Sequence, residues 1–172
     1  DVEVYARAAA VELLVNGKSV GKKTIKNDCI AKFRCTYEDG AVEAVSYDGA
    51  GRETGRTSLK TAGSETRLQV VPERDSVRPG GLAYIRLQYT DQRGEVKPLE
   101  RGILTVEVTG GRLLGLGSAC PFNEIGYCTN RTDTYYGEAL AVVQAEDSCG
   151  VTLRVTDAVR SGEVTVPVKK EA

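Results

Sequence analysis

Val11-Glu12-Leu13-Leu14-Val15-Asn16-Gly17-Lys18-Ser19-Val20-Gly21 is the stretch on which the fold reading turns. Val11, Leu13 and Val15 alternate with Glu12 and Leu14, the period of a strand with one buried face. Asn16-Gly17 follows, before Lys18–Lys23. A two-residue type I′ turn needs positive φ at both positions, which Asn and Gly adopt most readily. The stretch therefore predicts an antiparallel hairpin.

The same alternation recurs outward from it. Ala31, Phe33, Cys35 and Tyr37 alternate with Lys32, Arg34 and Thr36, and Ile85, Leu87 and Tyr89 oppose Tyr84, Arg86 and Gln88. Leu104, Val106 and Val108 repeat the pattern, as do Val151, Leu153 and Val155, and Val164, Val166 and Val168 near the end. Glu38-Asp39-Gly40, Asp48-Gly49 and Asp91-Gln92-Arg93-Gly94 read as further reversals. Roughly six strands are expected before residue 61 and seven after it. The expected class is all-β, as two tandem immunoglobulin-like antiparallel β-sandwiches. The boundary is placed in the small, polar stretch Thr61-Ala62-Gly63-Ser64-Glu65-Thr66. That gives a small sandwich over 1–62, short for an independent core and expected to be incomplete at its start, a linker over 63–66 and a second sandwich over 67–172.

Composition removes most chemistries. Lys plus Arg number 23 and Asp plus Glu 24, a net charge of −1 that offers no basic face to nucleic acid or an anionic membrane. No apolar run is long enough to span a bilayer, so membrane insertion is not expected. The chain has no His, which removes Ser–His and Cys–His nucleophile pairs and the commonest metal ligand. CxxC spacing is absent as well, so neither a metal nor a cofactor is expected. The absence of Trp takes away the largest aromatic platform for a sugar and the Cys…Trp…Cys signature of disulfide-bonded immunoglobulin domains. Asp1-Val2-Glu3-Val4 lacks Met and the regions of a signal peptide, and the chain is expected to begin inside a longer one.

Five cysteines stand at 29, 35, 120, 128 and 149. Cys35 reads as a small buried hydrophobe, and Cys29 lies in the turn before it. Cys120 and Cys128 bracket one loop and could pair as a disulfide in an exported protein. That loop, Ser118–Tyr136, is long and without clear periodicity, and it gathers Phe122, Tyr127, Tyr135 and Tyr136. Aromatic faces pack against sugar C–H faces, so these four are the candidate carbohydrate contacts. The competing reading has Tyr135 and Tyr136 begin the next strand, Gly137–Gln144, and pack into the sandwich. Asn123-Glu124 invites a catalytic reading, but glycoside hydrolysis needs two carboxylates set across the scissile bond, and Glu124 has no evident partner. It reads as a solvated surface residue, and no catalytic residue is assigned. Asn130-Arg131-Thr132 matches a glycosylation acceptor, which matters only in a eukaryotic secretory context.

Beyond physics, the Val11–Gly21 hairpin resembles a "VELFLNGKSLG" hairpin near the C-terminal end of family 2 glycoside hydrolases, notably bacterial β-galactosidases. The resemblance continues through Tyr37-Glu38-Asp39-Gly40, Val42–Asp48 and Lys60-Thr61-Ala62-Gly63. In the second half, Gly110–Ser118 resembles a "G…ILGVGNG" run and Tyr136–Val143 a "FNGLALAIV" strand. Departures lie in the loop, where Ser118-Ala119-Cys120-Pro121 stands for an "NGDP"-like start and Tyr136 for a common Phe. The resemblance implies a bacterial parent chain, exported or cytoplasmic, whose catalytic barrel lies upstream of Asp1. It also implies that both catalytic glutamates belong to that barrel and act by retaining double displacement.

The leading expectation is thus a non-catalytic accessory region of such an enzyme. Its partners would be the upstream barrel or a second copy of the chain, and it would show an exposed apolar patch where it met them. The alternatives are a carbohydrate-binding module that holds a glycan at the Ser118–Tyr136 loop, and an immunoglobulin-like spacer of a bacterial surface protein.

Overall fold

A computed structural model describes residues 1–146 and 150–169; Cys149 lies outside them. The fold is all-β, with no helix among the described residues, and the chain divides into two compact units, Asp1–Thr61 and Ala62–Ala172.

The first unit has six strands: β1 (Val2–Tyr5), β2 (Ala10–Val15), β3 (Lys18–Thr24), β4 (Ile30–Phe33), β5 (Ala41–Tyr47) and β6 (Glu53–Lys60). They form a four-stranded sheet in the order β3-β2-β5-β6 and a two-stranded sheet, β1-β4. Val11 and Leu13 of β2 meet Ala31 and Phe33 of β4 in a core that excludes water. Burial of each larger side chain contributes about 1.5–3 kcal/mol. The core is small, and every residue of β6 is exposed.

The Asn16-Gly17 turn has φ of 49° and 76°, the type I′ geometry expected, and closes β2 on β3 with Val15 opposite Lys18. The Asn16 side chain does more than tolerate the turn. Its Oδ1 accepts from the Ala41 amide at 2.8 Å and its Nδ2 donates to the Asp39 carbonyl at 3.0 Å, which ties the hairpin to the start of β5. Asn16→Gly keeps the backbone geometry and removes both bonds. It is expected to cost about 1–2 kcal/mol, read as faster hydrogen exchange at Ala41 with the β2–β3 hairpin still formed.

One strand is shorter than its pattern. The alternation over Ala31–Tyr37 continues past Phe33, but β4 stops there; Cys35 is half-buried, and Tyr37 is 73% exposed. The Tyr37 hydroxyl donates to Asp39 at 2.8 Å and lies 3.1 Å from the Thr61 hydroxyl. The phenol's polar tip thus draws the segment out of the sheet to brace the next turn.

The second unit has eight strands: β7 (Arg67–Pro72), β8 (Leu82–Thr90), β9 (Ile103–Thr109), β10 (Gly111–Gly117), β11 (Arg131–Asp133), β12 (Glu138–Ala145), β13 (Gly150–Thr156) and β14 (Ser161–Pro167). Two antiparallel sheets, β10-β12-β8-β7 and β11-β9-β13-β14, close on one core. With β11 set aside, that is the strand order of an immunoglobulin constant-type sandwich. Ile85 and Leu87 on β8, Ala141 and Val143 on β12, Leu104 on β9, and Val151, Leu153 and Val155 on β13 are all fully buried. Those on β8, β9 and β13 are the inward positions of the alternation read from the sequence.

Two polar devices hold the ends of this sandwich. Asp91, buried after β8, accepts from the amides of Gly63 (2.8 Å), Arg93 (2.7 Å) and Glu95 (3.0 Å). The Gly63 amide bond leads the effects that hold its carboxyl well below the usual range. Asp157, after β13, accepts from the Tyr89 hydroxyl of the opposite sheet at 2.9 Å and from Arg160 Nη1 at 2.9 Å. Residues 63–66, expected as a linker, are bonded into the second unit. Lys97 Nζ donates to the carbonyls of Ser64 and Glu65, and Arg160 Nε to that of Thr66.

Candidate functional site

The outer face of the β10-β12-β8 sheet carries a groove of about 660 Å³ in the second unit. β12 is apolar on both faces. Ala139, Ala141 and Val143 enter the core, while Leu140 and Val142 point outward and form the groove floor. Opposite Leu140 and Val142 on β10 lie Gly117 and Gly115, which add no side chain to that floor.

The loop after β10 builds one wall. The Leu116 amide donates to the Tyr127 carbonyl at 2.8 Å, so the returning chain is pinned along β10. The Tyr127 ring lies against the Gly117 backbone, where a Cβ would come within 2.3 Å of ring carbon Cδ1. Within the loop, Asn123 Oδ1 accepts from the Ile125 and Gly126 amides at 3.1 and 3.0 Å, a local cap that shapes the return. The loop is therefore less irregular than its sequence. It also contains β11, held by Thr132 and Thr134, both fully buried.

Tyr135 and Tyr136 form the other wall, from a turn rather than from within a strand. Tyr135 and Glu138 exchange two backbone bonds, 3.0 and 3.2 Å, across Tyr136 (φ 50°) and Gly137 (φ 77°). This is a second type I′ hairpin turn, with Tyr at a position usually filled by Asn or Gly. The two rings meet edge to face at 4.5 Å between centroids. The structure thus brings Tyr127, Tyr135 and Tyr136 to one groove instead of packing the last two into the core.

It does not bring Phe122 there. That ring is 84% exposed and is absent from the groove lining. Cys120 and Cys128 are free thiols in the structure, with Cys120 Sγ donating to the Phe122 carbonyl at 3.4 Å. Glu124 is exposed on the same loop.

The three charged lining residues, Glu73, Arg86 and Glu138, went unmarked in the sequence. Glu138 sits opposite Gln88, whose Nε2 donates to its Oε1, and Arg86 lies opposite Leu140. The unread signal was Ala139-Leu140-Ala141-Val142-Val143. A strand apolar on both faces needs cover on both, whereas a strand with one solvated face alternates. The groove offers aromatic walls, an apolar floor and both charges around it, a surface suited to an amphipathic small molecule.

Comparison with known proteins gives the chain's relations. Residues 68–168 match the family model described as glycoside hydrolase family 2 C-terminal domain 5, and residues 1–55 match a domain of unknown function, DUF4982. The beta-galactosidase BoGH2A of Bacteroides ovatus is 26% identical over 151 residues, which is 85% of this chain and 18% of that protein. A solved family 2 glycosyl hydrolase from Bacteroides cellulosilyticus superposes with a TM-score of 0.85 at 26% identity, covering 95% of this chain and 23% of that one. A beta-glycosidase structure from Bacteroides vulgatus shares the fold, with a TM-score of 0.86 at 23% identity over 96% of this chain and 22% of its own. The chain thus spans about a fifth of the length of the proteins it matches.

Proposed function

The chain belongs to the glycoside hydrolase family 2 C-terminal domains, and from that premise we propose that it is a non-catalytic accessory region of such an enzyme, most like a β-galactosidase. In this reading it braces the catalytic unit or its oligomer partner, while the parent hydrolyses β-glycosidic bonds with retention. The observation that carries the reading is the extent of the match: nearly the whole chain aligns to a fifth of a β-galactosidase, with the family's C-terminal domain over 68–168.

Electrostatics supports it. A glycosidase needs one carboxyl raised enough to protonate the leaving oxygen, facing a second that is ionised. Among the described residues, the carboxyls that shift (Glu3, Glu12, Asp48, Asp91 and Asp157) all shift downward, the direction of structural anions.

The test compares the intact enzyme with and without these residues. Deletion of the chain is expected to lower the enzyme's unfolding temperature or dissociate its oligomer, and the isolated chain is expected to leave nitrophenyl β-galactoside unhydrolysed. The proposal fails if deletion changes neither property. It fails equally if the isolated chain hydrolyses the substrate and Glu124→Gln abolishes that activity.

A further inference from the structure

We propose that the groove on the outer face of β8, β10 and β12 is a binding site for a neutral pyranoside, such as a residue of an oligosaccharide. This gives the accessory region a binding activity of its own, separate from any bracing role.

The occupant follows from the lining. Its volume of about 660 Å³ is that of a small-molecule site. Leu140 and Val142 form an apolar floor between walls of Tyr127, Tyr135 and Tyr136, and Tyr136 keeps 62% of its surface exposed. A lipid tail would take the charged groups of Glu73, Arg86 and Glu138 out of water and offer them no polar atom in return, an unfavourable arrangement. A pyranose satisfies both parts of the site. Its axial C–H face lies against a tyrosine ring, and its equatorial hydroxyls donate to a carboxylate and accept from a guanidinium. Glu138 is already oriented by Gln88, its partner across the strands. The lining sets two carboxylates against the Arg86 guanidinium, so an anionic sugar gains less there than a neutral one.

The site is also built in advance. The Tyr136-Gly137 turn fixes one wall by backbone bonds, and the pinned return at Leu116–Tyr127 fixes the other. A preformed groove loses little entropy on binding, which permits weak but specific association.

The experiment titrates the chain with lactose, cellobiose and methyl β-D-glucuronide while following tyrosine and phenylalanine ring resonances by NMR. The neutral sugars are expected to shift Tyr127, Tyr135 and Tyr136 at millimolar concentration and to leave Phe122 in place. Tyr136→Asn removes a wall at a residue type that tolerates positive φ, so the turn survives; affinity is expected to fall roughly tenfold. Phe122→Ala is expected to bind like the parent chain. Absence of ring shifts at tens of millimolar sugar overturns the proposal, as does undiminished binding by a folded Tyr136→Asn. Tighter binding of the glucuronide, lost in Arg86→Gln, overturns its neutral-sugar part. If the sugars fail while deletion still destabilises the intact enzyme, the accessory reading stands and the groove is an interdomain surface.

Discussion

Asp157→Ala is expected to destabilise the second unit by about 3 kcal/mol, and Tyr89→Phe by about 1 kcal/mol. The difference comes from how many groups each change leaves without a partner. Asp157 Oδ1 accepts from the Val159 and Arg160 amides at 2.7 and 2.6 Å. Its Oδ2 accepts from the Tyr89 hydroxyl and from Arg160 Nη1, both at 2.9 Å. Loss of the carboxylate frees all four donors, and the Tyr89 hydroxyl among them sits on a side chain only 1% exposed. Tyr89→Phe removes one donor and leaves Asp157 with its other three bonds. Arg160 also lies over the Tyr89 ring, 5.6 Å from its centroid, a contact with an aromatic ring that both variants keep, so only Asp157→Ala takes away its ion partner. Urea unfolding midpoints of the two variants decide the matter. Equal losses would mean that the bond between the sheets dominates and the turn amides are readily satisfied by water.

The same network fixes how stability depends on pH. Burial alone would raise the Asp157 carboxyl, but the bonds from Val159, Arg160 and Tyr89 outweigh it, and the net direction is downward from 3.8. A carboxyl lower in the folded than in the unfolded state contributes stability that is full above its unfolded value and fades as pH falls below it. Asp91 adds in the same direction, led by its bond from Gly63. Tyr89 has the opposite sign. Burial and then Asp157 push its hydroxyl up from 10.0, so its contribution is full below that value and is lost as pH rises beyond it. A plateau is expected between the two limbs. Asp157→Ala should flatten the acid limb in part, leaving the share due to Asp91, when unfolding temperature is followed against pH.

Much of the fold was legible because each sheet of the second unit has one face on a single core, and alternation reports that directly. Val151, Leu153 and Val155 are a clear case: all three are fully buried. The strand β11 escaped because its one buried side chain is Thr132, and Thr134, just past its end, is buried as well. Thr134 receives the Gly102 amide at 3.2 Å, so a hydroxyl is buried there by hydrogen bonding, which a hydropathy pattern does not register. Tyr37 failed in the opposite sense, since its polar tip outweighs the place of its ring in the alternation. Three of the four candidate sugar contacts reached one groove, Tyr127 because its loop is folded back along β10 and Tyr135 and Tyr136 because the turn into β12 carries them there. Phe122 did not, and no local feature of the sequence separates it from Tyr127. Arg86 and Glu138 were out of reach for a different reason. They are distant in sequence and become neighbours only through the β8–β12 register, which pairs Gln88 with Glu138 and Arg86 with Leu140.

Gly137→Ala is expected to cost the second unit about 3 kcal/mol, against about 1 kcal/mol for Gly126→Ala. Both glycines have left-handed backbones, at φ of 77° and 80°, so both variants carry the strain of an L side chain there. Only one meets an obstacle. A Cβ on Gly126 has nothing within 4 Å, whereas a Cβ on Gly137 would lie 2.4 Å from the Lys97 carbonyl oxygen. That carbonyl cannot move aside freely. The Lys97 amide donates to the Tyr89 carbonyl at 2.8 Å, and the Tyr89 amide donates to the Gly137 carbonyl at 2.8 Å, so the three segments are locked together. Relief of the clash must break one of those bonds or open the Tyr136-Gly137 turn. Opening the turn would swing Tyr135 and Tyr136 away from the groove. Matched thermal melts of the two variants separate strain from clash. If Gly137→Ala melts no lower than Gly126→Ala, the Lys97 segment yields at little cost and the turn is less rigid than its bonds imply. If it melts lower and also loses sugar-induced shifts at Tyr136, the residue that permits the turn is also the one that shapes the groove.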